Sequence, residues 1–235
     1  ARPSHSGVVD AFLDALAGDN AQDRLIALAS LTRDRADAVL ATEGASPEAM
    51  VVAAASLESS QTAAALLTVV GRAPNSKFAR YQVARVYSTD SATTGAAQEH
   101  LAVLEEADPD NAMTHYLKAE AFLKSDPPDV QSAMEALATA RTFETASGYP
   151  EEALQGRLES LIASGTDPET ARMLTAFTAG RWEYDELTDL SGSLYEVGSQ
   201  YLAAGDTATA TSIFDGLYSL GQQIDQGARY SQERM

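Results

Sequence analysis

Between Ser191 and Ile224 the same amphipathic pattern is written twice across a single turn, and no other stretch narrows the fold of this chain so far. Leu194, Val197, Gly198 and Tyr201 share one face of a helix, Gly205-Asp206 makes a turn, and Ala210, Phe214 and Leu217 line the face of a second helix. Steps of three and four residues keep side chains on one side of a helix, so the stretch predicts two antiparallel helices. Gly198 is small and Tyr201, one turn on, is large. A small residue lets two helices approach closely, and the ring fills the space beside the contact, so a bulky replacement at Gly198 overpacks it.

The register recurs upstream. In Lys77 to Asn111, Val83, Ala84 and Tyr87 take the first helix and Ala97, Leu101 and Leu104 the second, with Asp108-Pro109-Asp110-Asn111 closing the unit. Pro109 cannot donate to a continuing helix and fits the first turn of the next. In Ala112 to Phe143, His115, Ala119 and Phe122 precede the loop Ser125-Asp126-Pro127-Pro128-Asp129, and Ala133, Leu137 and Ala140 follow it. Two weaker copies run from Ser46 to Ser76 and from Pro150 to Gly180. The pairs Ser46-Pro47 and Asp167-Pro168 read as helix starts, a capping side chain before an N1 proline.

These residues resemble the tetratricopeptide repeat, a family with a 34-residue helix-turn-helix unit. Leu217 stands where the family has Ala, and the last unit lacks a closing Pro. The resemblance implies an all-α, right-handed α-solenoid of about five repeats over 46–224, preceded by N-terminal helices in 1–45 and followed by a capping helix or tail in 225–235. Within 1–45 a short helix is expected near Val8 to Leu16 and a helix pair in Ala21 to Ala41. Arg181 to Leu190 reads as an irregular link. Exposed apolar ends of such an array need caps.

Composition agrees with helices, since Gly (15) and Pro (8) are sparse and β-branched residues form no alternating runs. The formal net charge of -18, from 34 acidic and 16 basic side chains, repels a phosphate backbone, which argues against nucleic acid as a partner. There is no Cys, hence no disulfide, thiolate or Cys-based metal site. The apolar runs Ala49 to Leu57 and Ala63 to Val70 fall short of the roughly 18 residues that a membrane-spanning helix needs. The start at Ala1, without an initiator Met, suits a removed leader, and a soluble, extracytoplasmic (periplasmic or lipoprotein-like) location fits slightly better than a cytoplasmic one.

Catalytic constellations are missing. The sequence has no HExxH, GxSxG, Walker A or GxGxxG motif, and His5, His100 and His115 lie apart. Asp108, Asp110 and Asn111 lack the Gly and distal Glu of a calcium loop. The expectation is therefore a non-enzymatic scaffold or adaptor without metal or cofactor. An alternative is a structural subunit of a membrane-associated or multi-protein complex.

For a scaffold, the resemblance places ligands on the concave face formed by the first helix of each unit. Carried over to this chain, that face presents Tyr81, Tyr116 and Tyr195 at one slot and Phe78, Arg85, Met113, Glu120 and Lys124 beside it. Tyrosine combines apolar contact with a hydrogen-bonding tip at low entropic cost. The family's carboxylate clamp of Lys and Asn is absent, and a face of tyrosines and acids suits a basic protein or peptide segment. Trp182, with Tyr184 among Glu183, Asp185, Glu186 and Asp189, forms a second candidate patch.

Overall fold

In the computed structural model, residues 29–233 are described, with backbone alone for 179–187 and 225–233. Ten helices carry the described chain: α1 (Arg33–Ala41), α2 (Pro47–Ala55), α3 (Ser59–Arg72), α4 (Lys77–Ser88), α5 (Thr94–Ala107), α6 (Ala112–Lys124), α7 (Val130–Ala140), α8 (Pro150–Ala163), α9 (Pro168–Ala203) and α10 (Thr207–Glu233). No strand occurs among the described residues, so the fold is all-α.

Punctuation read from sequence sets the helix starts. Ser46 accepts from the Ala49 amide ahead of Pro47, Ser76 from Ala79, Asn111 from Met113, and Asp129 from Ser132. Each cap satisfies a backbone donor that the first helical turn leaves free. Asp167 does the same for Glu169, at 3.0 Å, ahead of Pro168. The short helix near Val8 and the first part of the Ala21 to Ala41 pair lie outside the described residues; the described part of that pair contains α1.

The chain divides into two compact units, each assembled from separated stretches. The first takes residues up to 73 and 150–183, and the second takes 74–149 and 184–235.

In the first unit α2 is covered from several sides, packing on α1, α3 and α8. Its run Ala49 to Ala54 is buried throughout, as expected of a helix that is apolar all round. Such a helix needs cover beyond its hairpin partner α3, and α8 supplies it, at Gly156. Polar ties hold the periphery: Arg35 donates to Ser164 at 3.1 Å and to Thr166, Ser46 bonds Glu159, and Arg157 donates to the Ala29 carbonyl at 3.1 Å.

In the second unit α4 packs on α5 and α6 on α7, while α6 also touches α4 and α5, and α10 lies on α7. Phe78, Leu101, Leu104, Leu117, Leu137, Leu194 and Ile213 form its core.

The irregular link expected from Arg181 to Leu190 is instead helical, inside the 36-residue α9. That segment holds no Pro or Gly, and the single Gly180 before it costs a helix only about 1 kcal/mol, too little to break it. Residues 225–233 likewise continue α10 and form no separate capping helix. No helix among the described residues is long and apolar enough to cross a membrane.

Candidate functional site

Of the side chains expected to face a partner, Phe78, Tyr81, Met113, Tyr116 and Glu120 are buried. They present no surface, which corrects that part of the expectation. Arg85 is half-buried and 3.8 Å from Asp189, Lys124 is half-buried, and of those whose side chains are described only Tyr195 is exposed. Trp182 lies outside the residues whose side chains are described.

Two features cover the buried set. The first is the connection 141–149, which folds back over the starts of α4 and α6. Asn111 grips its main chain from both sides: the Ser147 amide donates to Asn111 Oδ1 at 2.9 Å, and Asn111 Nδ2 donates to the Ser147 carbonyl at 3.0 Å. The Ala112 amide, a free donor at the start of α6, bonds the Thr145 carbonyl at 3.2 Å. Tyr149 sets its ring 5.3 Å from that of Tyr81 and 6.5 Å from that of Phe78, and its hydroxyl donates to Asp108 at 2.8 Å. Burial would raise the Asp108 pKa, but hydrogen bonds from Tyr149, Lys77 and Asn111 outweigh it and hold the carboxyl below its ordinary value. Phe143 stacks on His115 at 5.1 Å, and burial lowers the pKa of that imidazole.

The second feature is α10. Tyr116 donates to Gln223 Oε1 at 2.9 Å, and Gln223 Nε2 donates to the carbonyls of Ala140 and Phe143, both at 2.8 Å. Tyr116 is thus a core residue tied into a polar lock.

Glu120, 2% exposed, joins α4, α6 and α9. Ser88 Oγ lies 2.8 Å from Glu120 Oε2 and 3.0 Å from the Arg85 carbonyl, and Ser193 is buried against the same carboxyl. A hydroxyl has one proton and cannot donate to both acceptors. Its bond to the Glu120 carboxylate, when made, favours the charged form and opposes burial. Burial raises the Glu120 pKa, against smaller opposing effects of Ser193, Ser88, Lys124 and Arg85.

A carboxyl whose folded pKa lies above its unfolded value stabilises the fold fully below the unfolded value and loses that contribution as pH rises through the folded one. Glu120→Gln keeps the shape without an ionisable proton. For the native chain we expect the urea midpoint to decline as pH rises above 4.5, the ordinary value for this group, and for the variant we expect that decline to be flattened. Unchanged pH dependence would place the Glu120 pKa at its ordinary value.

Among the described residues the most exposed large apolar side chains belong to the α9–α10 hairpin. Gly205, at φ 85°, closes α9, and Asp206 starts α10 by accepting from the Thr209 amide at 3.1 Å and its hydroxyl at 2.8 Å. At Gly198 a Cβ would come within 2.7 Å of the Phe214 ring, so the close crossing expected there is present. Leu194, Val197, Ala210 and Ile213 point inward. On the flank, Tyr195 is 63% exposed, Leu202 51% and Tyr218 70%. Tyr195 meets Phe214 at 5.9 Å, and Tyr218 follows Phe214 by one helical turn.

Charge reinforces this face. Between Arg181 and Arg229 the chain carries eight Asp or Glu and no Lys or Arg. Phe214 was read from sequence as core only, and Leu202 and Tyr218 were missed. The signal for them is that Leu202 and Tyr218 each follow by one position a residue of the helix face read as inward, Tyr201 and Leu217, within a stretch free of Lys and Arg.

His100 is half-buried with its Nδ1 unpartnered, beside Tyr87 at 6.4 Å, and burial lowers its pKa. Among the described residues no three His, Asp or Glu side chains gather to hold a metal. No protein-family model, curated protein or solved structure matches the chain.

Proposed function

We propose that this chain is a non-enzymatic protein-interaction scaffold of the tetratricopeptide-like, helical-solenoid type, and that it holds a basic, partly apolar protein segment on the α9–α10 face. The observation that carries the reading is the exposure of Tyr195, Leu202 and Tyr218 on one hairpin, with the Tyr195 ring on Phe214, inside a stretch without Lys or Arg. Aromatic anchors with a polar tip supply most of the energy at protein interfaces, and the acidic excess of this stretch, in which Arg85 and Arg141 approach Asp189 and Asp215 at 3.8 and 3.7 Å, favours positive partners and speeds their encounter. The successive packing of α4 on α5, α5 on α6 and α6 on α7 supports the repeat-type fold.

Replacing both Tyr195 and Tyr218 by Ala removes mostly exposed side chains, so helicity and melting temperature should change little. Binding to a partner captured from the native source should weaken by at least tenfold, about 1.4 kcal/mol or more. Capture should also fall with added salt. A folded double variant that retains its partner at full affinity rejects this face.

A further inference from the structure

The connection 141–149 has the chemistry of a bound peptide more than that of an ordinary loop. Its contacts to the Asn111 side-chain amide and to the Ala112 donor go to main-chain atoms of Thr145 and Ser147, so they read a backbone and not a sequence. The residues between, Ala146, Ser147 and Gly148, are small. Recognition of a side chain falls on Tyr149, whose ring sits against Tyr81 and Phe78 with its hydroxyl on Asp108.

Tyr149 is also the described non-glycine residue with positive φ, at 61°. A bulky side chain is a rare occupant of that region. The position is doubly unfavourable because Pro150 follows, and a residue before proline prefers extended backbone. The connection to α8 imposes this, since the chain must leave the groove and start a helix at Pro150. Strain of this kind persists where surrounding contacts over-determine it, and it concentrates at ligand clamps and switches. A separate segment, with no helix to start, would place the same ring without the left-handed turn.

We propose that Phe78, Tyr81, Asp108 and Asn111 form a peptide-binding groove that residues 145–149 occupy in the resting chain, and that its partner is a small-residue segment carrying a tyrosine two positions after the residue clamped by Asn111. The tethered segment acts as an internal competitor, present at a high effective concentration. The groove is separate from the α9–α10 face and stands or falls without it.

The probe is the labelled pentapeptide acetyl-Thr-Ala-Ser-Gly-Tyr-amide, read by fluorescence polarisation against the full chain. Tyr149→Gly empties the aromatic pocket and accepts the positive φ, and Tyr149→Ala is the second variant. Either should bind the probe at least tenfold more tightly than the native chain, and a control peptide ending in Ala should show at least tenfold weaker binding. A folded variant that takes both peptides equally, or neither, overturns the proposal. Should both variants fail to fold, hydrogen exchange on the native chain decides: excess probe should speed exchange at the Ser147 amide, whereas exchange unchanged by the probe overturns the groove.

Discussion

Gly156→Val should destabilise the first unit by about 3 kcal/mol, at the top of the range for overpacking. A Cβ at Gly156 would stand 2.3 Å from the Glu48 carbonyl oxygen, 2.5 Å from its carbon and 3.0 Å from a Val52 methyl. The first two contacts are backbone atoms of α2, which cannot swing aside like a flexible side chain, so the helices must separate. Separation withdraws α8 from a helix whose residues Ala49 to Ala54 are all buried. Gly192→Ala in α9 supplies the contrast: a Cβ there meets nothing within 4 Å, and relief of glycine's helix penalty should stabilise by about 0.5–1 kcal/mol. Urea unfolding gives both signs, and hydrogen exchange locates the first, with protection lost in α2 and α8 and kept in α6. A Gly156→Val chain as stable as the native one would rule out the close crossing of α2 and α8.

These positions show what sequence could and could not reveal. Helix starts depend on neighbours in sequence, so Ser46-Pro47, Asp167-Pro168 and Gly205-Asp206 were legible from residue type alone. The close contact at Gly198 was legible because its partner helix follows after one short turn. The contact at Gly156 was not, because Glu48 lies more than a hundred residues away and nothing local names α2 as the partner. Long-range choice of partner also explains the division into two units. Periodicity shows that a helix has an apolar face but not which helix covers it.

The same limit decided the binding face. Tyr81 and Tyr116 carry the residue type of a surface anchor, yet Tyr149 covers one and Gln223 the other. Both covers arrive from stretches with no helical register in common with the residues they bury. Tyr195 kept its exposure because its neighbours on α9 and α10 leave that flank open.

Tyr116→Ala should therefore cost about 3–5 kcal/mol of stability in the second unit, as for other large buried rings, and it reports on the core and not on a partner. Tyr116→Phe isolates the hydroxyl. It leaves Gln223 Oε1 buried without its donor, which should cost about 1–3 kcal/mol, although the volume is nearly unchanged. Gln223→Leu goes further, because the Phe143 carbonyl also loses its Gln223 donor and the Ala140 carbonyl keeps only the Phe143 amide, at 3.3 Å. The double variant removes both ends of the Tyr116–Gln223 bond, so neither end is left unsatisfied by the other's loss. Its destabilisation should fall short of the sum of the single changes by about 1 kcal/mol. Losses that add to within about 0.5 kcal/mol would mean that the two groups do not support each other, and that α10 is held on α7 by the other contacts, the bonds of Gln223 to the Ala140 and Phe143 carbonyls and the close approach of Gly216 to Leu137 among them.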